Sequence, residues 1–107
     1  MRETAMEALQ PRKFVGPVLR GMDQDIIEAV REAIEDDNPD AEVLYEDRGG
    51  YVRIHTPRVC RVTRKSLEAV LGRSFRLAEL EPSLSGFAGR MRYVGDEALD
   101  WYLDRED

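Results

Sequence analysis

The chain has a single cysteine and a single histidine among its 107 residues. Cys60 alone cannot form an internal disulfide. Nor can it hold an iron–sulfur cluster, which takes four thiolates or a set of two Cys and two His. One unpaired cysteine fits a reducing compartment. His55 has Val52 three residues before it rather than a glutamate. The paired Glu-x-x-His motifs of a di-iron carboxylate site are therefore missing. Long apolar runs are missing too. Nothing approaches the roughly 20 apolar residues of a membrane helix, and "MRETAMEALQPRK" offers no secretion signal. A cytoplasmic protein with no membrane partner is expected. Gly49-Gly50 lacks the further glycine and lysine of a phosphate loop. The net charge of −6 argues against general nucleic-acid binding, because phosphate contacts need a positive face.

What is present is an ordinary globular composition, 42% apolar and 36% charged. The length suits one domain with a modest core. The charge is unevenly spread. No acid occurs from Arg48 through Leu67, a window holding Arg48, Arg53, Arg58, Arg61, Arg64 and Lys65 of the 16 cationic residues. Such a window is either a solvated sheet face or a patch that orients docking on an acidic partner.

The patterning predicts a single α+β domain over residues 13–107 behind a disordered tail, 1–12, in the order β-α-β-β-β-α-α-β-β. "FVGPVLR" (14–20) is β-prone but interrupted by Gly16 and Pro17, which predicts an edge or short strand. Residues 23–37 read as a helix capped by Asp23, with Ile26, Ile27, Val30, Ala33 and Ile34 on one face. Asn38-Pro39 stops it, after three acids that oppose the helix dipole. Residues 41–47 and 51–56 form a hairpin about Gly49-Gly50, with Tyr51, Arg53 and His55 facing away from Val52 and Ile54. "RVCRV" (58–62) is a further strand, with Cys60 a buried residue. A helix over 63–72 is capped by Thr63 and ends at Gly72. Another, over 74–82, starts at Ser74 and ends before Pro82. The last hairpin runs 87–94 and 97–104, with Leu99, Trp101 and Leu103 alternating with Asp100 and Tyr102.

Few chemical readings survive. A lone strand histidine is usually structural. Exposed carboxylates leave a small hydrolase open in principle, but most sit on the outer face of the first helix. "GFAG" (86–89) matches the bare Gly-x-x-Gly of a KH-type RNA clamp, with Arg90 and Arg92 nearby. That clamp joins two helices, whereas here the segment leads into a strand. An RNA-binding module using this loop is the alternative reading. A cofactor-free protein-binding module is favoured.

Several segments in order carry a resemblance: "VGPVLR" (15–20), the helix ending "DNP" (37–39), "EVLYEDRGGYVRI" (42–54), "VTRKSLEAVLGRSF" (62–75) and "LEPSLSGFAGRMRY" (80–93). Together they resemble the small effector, or coupling, proteins of soluble bacterial di-iron monooxygenases, nearest to the toluene monooxygenase branch and related aromatic and alkene oxygenases. The resemblance implies a non-catalytic component that carries no metal or cofactor and is monomeric when free. It binds the hydroxylase component above the di-iron centre and tunes substrate access, coupling and regioselectivity. In the related methane monooxygenase regulator, small polar residues before a Gly-Arg lie against the hydroxylase. The matching stretch here is Ser83, Leu84, Ser85, Gly86, Phe87, Ala88, Gly89 and Arg90, with Asn38 and Pro39 as secondary contacts. Phe87 is either an apolar contact or a core anchor of the last hairpin.

Overall fold

The computed structural model describes residues 13–103. The expected tail, 1–12, and Asp104, the end of the expected last strand, lie outside that range. Strand β1 (Phe14–Arg20) leads into α1 (Gln24–Asp37). Then come β2 (Leu44–Asp47), β3 (Tyr51–Pro57) and β4 (Val59–Thr63), α2 (Arg64–Leu71), a 3-10 helix (Leu77–Ser83), and β5 (Leu84–Ala88), β6 (Arg90–Val94) and β7 (Ala98–Tyr102). This is the expected α+β arrangement, with the penultimate strand broken in two.

Two antiparallel sheets form, in the orders β2-β3-β1-β5 and β4-β7-β6. They share two nearly continuous strands, each bent at one residue. β3 passes into β4 through Arg58, and β5 passes into β6 through Gly89. Both corner residues adopt positive φ, 71° and 90° respectively. Gly89 has a second reason to be glycine. A Cβ there would lie 2.7 Å from Val15 Cγ1 and 2.8 Å from the Tyr102 carbonyl, inside contact distance of both sheets. The Arg58 amide donates to the Lys13 carbonyl at 2.8 Å, tying the first corner to the start of β1.

The expectation of an edge or short strand fails, because β1 runs seven residues and pairs with both β3 and β5. The proline is tolerated because the β1–β3 pairing is interrupted at Gly16 and Pro17, between Val15↔Thr56 and Val18↔Arg53. On the β3 side a missing N–H removes no ladder bond, while on the β5 side Pro17 stays in register with Phe87. Gly16 allows the close approach. Its φ is 148°, and a Cβ would meet the Ile54 carbonyl at 2.4 Å.

The core lies between the helices and the inner faces of the sheets. α1 contributes Ile27, Ala29, Val30, Ala33 and Ile34, and the sheets contribute Val15, Leu19, Val52, Ile54, Cys60, Val62, Leu99 and Trp101. Each large aliphatic side chain so buried contributes about 1.5–3 kcal/mol. Asp23 does occupy the α1 N-cap, but its side chain makes no capping bond. Thr63 caps α2 as expected, accepting from the Ser66 amide. The helix placed over 74–82 is instead a 3-10 turn that starts after Arg76, contains Pro82 and ends at Ser83. Its Leu77 and Leu80 are buried.

Candidate functional site

The segment 83–90 is more ordered than its small residues suggest. Ser83 closes the 3-10 helix and is buried, and Leu84 packs against the core. The chain then runs as β5 along the free edge of the four-stranded sheet, with β1 as its neighbour in that sheet. The register shifts between Val18 and Leu19, and the Ser85 hydroxyl bridges the irregularity by donating to the Val18 carbonyl at 3.3 Å. Ser85 and Phe87 point outward and are exposed, while Leu84, Gly86 and Ala88 are half-buried. Phe87 is 45% exposed, so it is not a core anchor. Nothing lies within 4 Å of where a Gly86 Cβ would stand, so another surface can approach the backbone closely there. At Gly89 the chain turns into the second sheet, and Arg90 opens β6.

Asn38 and Pro39 lie elsewhere, at the β4 edge. The Asn38 amide donates to the Ile34 and Arg61 carbonyls, each at 2.7 Å, and accepts from the Arg61 amide at 3.1 Å. The side chain thus closes both α1 and the edge of β4. Beside it an open groove of about 430 Å³ is lined by Asn38, Pro39, Asp40, Ala41, Glu42, Pro57 and Val59. The two candidate stretches flank the three-stranded sheet. Val59, from the groove, pairs with Tyr102, and Tyr102 pairs with Arg90.

The acid-free window does not form one continuous cationic patch. Arg48 and Arg53 both reach Glu46. The Glu46 carboxylate raises the Arg48 pKa, chiefly through the hydrogen bond. Arg64 reaches Glu68 and Glu97. Arg61 makes a two-pronged bond to Asp100 at 2.7 and 2.8 Å, and this bond raises its pKa. Asp100, which alternates with the apolar residues of the last strand, is nonetheless only 2% exposed. It sits between its cross-strand neighbours Arg61 and Arg92, which cover it.

His55 departs from expectation as well. It is buried rather than exposed with Tyr51 and Arg53. It is set opposite Leu44 and against the backbone of Gly16. Burial first, and then Arg53, lower its pKa. Its Nε2 has no hydrogen-bond partner among the described residues. Cys60 is buried as expected, and desolvation pushes its thiol up to about 12. A thiol held protonated at neutral pH is a poor nucleophile. Tyr93 donates to Glu81, joining β6 to the 3-10 helix; burial first, then Glu81, raises its pKa to about 12. Among the described residues no group of three or more His, Cys, Asp or Glu is placed to hold a metal ion, and no helix is long and apolar enough to cross a membrane. Gly86 and Gly89 lie in a strand and at its corner, not between two helices, so the KH-type clamp is not built. Sequence reasoning missed the Arg61–Asp100–Arg92 cluster. The signal was an acid at the centre of an otherwise apolar strand.

Comparison with known proteins agrees with the fold. Residues 13–102 match the MmoB/DmpM family. A relative from Xanthobacter autotrophicus, described as the effector subunit of an alkene monooxygenase system, is 51% identical over 89 residues, covering 83% of this chain and 85% of the relative. Two chains from structures of a phenol hydroxylase–regulatory protein complex share the fold. One has a TM-score of 0.69 at 24% identity, covering 86% of this chain and all of that one. The other has a TM-score of 0.65 at 27% identity, covering 84% and 99%.

Proposed function

The chain belongs to the MmoB/DmpM family, and from that premise we propose that it is the effector component of a bacterial multicomponent di-iron monooxygenase. It acts in the cytoplasm and does no chemistry itself. It binds the hydroxylase component and favours one of its conformations. An effector shifts such an equilibrium only by its difference in affinity for the two states. The observation that carries the reading is the 51% identity to an alkene monooxygenase effector across most of both chains. That relative also favours an alkene-oxidising hydroxylase over the toluene branch suggested by the sequence.

The open edge of β5 is the contact we place nearest the hydroxylase's working parts. Exposed Phe87 supplies an apolar anchor beside a backbone that Gly86 leaves uncovered. Asn38 and Pro39 contribute from the β4 edge instead, Asn38 by closing that edge and Pro39 through the groove beside it. The test is reconstitution with the hydroxylase and reductase of the same system, measuring product formed per reductant consumed. Adding the chain should raise turnover and yield. Phe87→Ala should bind about tenfold more weakly, the loss typical of a truncated aromatic anchor, with its folding unchanged. Full oxygenase efficiency without the chain would end the reading.

A further inference from the structure

The outward face of the three-stranded sheet runs against the charge of the whole molecule. Strand register defines its rows. Val59, Tyr102 and Arg90 form one, Arg61, Asp100 and Arg92 the next, and Thr63, Ala98 and Val94 the last. The inner rows, Cys60–Trp101–Met91 and Val62–Leu99, turn to the core side, and Tyr93, paired with Leu99, is 41% exposed at the β6 end of the second. In a chain of net charge −6, this outer face carries three arginines and one aspartate. The Arg61 and Arg92 side chains remain 46% and 57% exposed although both reach Asp100. Arg92 also lies over the Tyr102 ring, 4.6 Å from its centroid.

Resting on the effector reading, we propose that this face is a docking surface for an acidic segment of the hydroxylase, one that presents aspartate or glutamate side chains. The buried carboxylate holds the two guanidiniums in fixed positions. One carboxylate offsets only one of them, which leaves excess positive charge and outward-facing donors. Guanidinium donors already held in place lose less freedom when they bind a partner carboxylate. Val59, at 50% exposed, and the Tyr102 ring give the first row an apolar rim beside the charge. Acids bound the face at both ends. Asp40 and Glu42 line the groove beside Val59, and Asp36, Asp37 and Glu97 line the one next to Val94 and Ala98, so the acidic segment lies across the middle row, on Arg61 and Arg92. The face also spans the ground between the β5 corner and the Pro39 groove, making one continuous contact with the edge proposed above.

The experiment measures association of the chain with the purified hydroxylase, by stopped flow, from about 0.05 to 0.5 M NaCl, a range over which exposed charges become screened. Wild-type association should slow steeply with salt. Arg92→Gln should slow it about tenfold at low salt and flatten the salt dependence. Arg61→Gln removes the main partner of buried Asp100, so its fold is checked by thermal unfolding. Val59→Glu adds an acid at an exposed position where no ion pair is lost. It should also slow association, and Val59→Lys should speed it. If folded Arg92→Gln and Val59→Glu keep the wild-type rate and salt dependence while Phe87→Ala loses binding, this docking face is wrong and the effector reading stands. A wild-type chain that does not bind the hydroxylase overturns both. Tight binding of a labelled single-stranded RNA at the same salt, lost in Arg92→Gln, would overturn the protein partner.

Discussion

At the scale of single residues, the positions that look chemically interesting do mechanical work. Gly89→Ala should lose about 1–3 kcal/mol of stability by urea unfolding, because the new Cβ meets Val15 and the Tyr102 carbonyl and the backbone stays at positive φ. Asn38→Ala should lose a similar amount, since it strands the Arg61 backbone groups at the β4 edge. His55 sets a pH dependence. Its pKa is lowered from the ordinary 6.5, so the unfolded chain takes up a proton at a pH where the folded one does not. Stability from this residue is complete above 6.5 and falls as pH drops below it toward the folded value. Unfolding free energy measured between about pH 8 and 5 should therefore decline at the acid end, and less so in His55→Gln. Alternation in the sequence put His55 with Tyr51 and Arg53. It could not reveal that β1, at Gly16, comes close enough to cover the third of them, because that approach depends on a partner 39 positions away in the chain.

At the scale of elements, the first two helical patterns were legible because their apolar spacing and their stops, Asn38-Pro39 and Gly72, point the same way. The third was not. The stretch after Gly72 reads as a helix from Ser74, yet Arg76 and Glu79 form the start, with the Glu79 side chain accepting from the Arg76 amide at 2.9 Å. Asp37 shows how one acid serves two helices. It opposes the dipole of α1, where it is the last residue. It also accepts from the Thr63 amide at 2.7 Å and from the Ser66 hydroxyl at 2.7 Å, placing negative charge at the start of α2, where it is favourable. Asp37→Ala should destabilise the protein by about 1–3 kcal/mol and should raise amide exchange most in α2. Equal exchange across all elements would show that the link is not local.

At the scale of the molecule, the class of fold was legible in the sequence, but not that the penultimate strand divides between two sheets. Its residues alternate through Gly89 as if unbroken, and only the positive φ there separates β5 from β6. The segment picked out for its small residues is therefore a sheet edge, and Phe87 belongs to that edge rather than to the final hairpin. Because each crossing between the sheets is one residue long, neither has any slack. One amino acid inserted at position 58 or 89 would reverse every later side chain of β4 or β6 from one face to the other. Arg61 or Arg92 would turn toward the interior, and Cys60 or Met91 toward water. Length changes tolerated by this fold should therefore collect at the 48–50 and 95–96 turns. An insertion scan read out by soluble yield should find positions 58 and 89 closed.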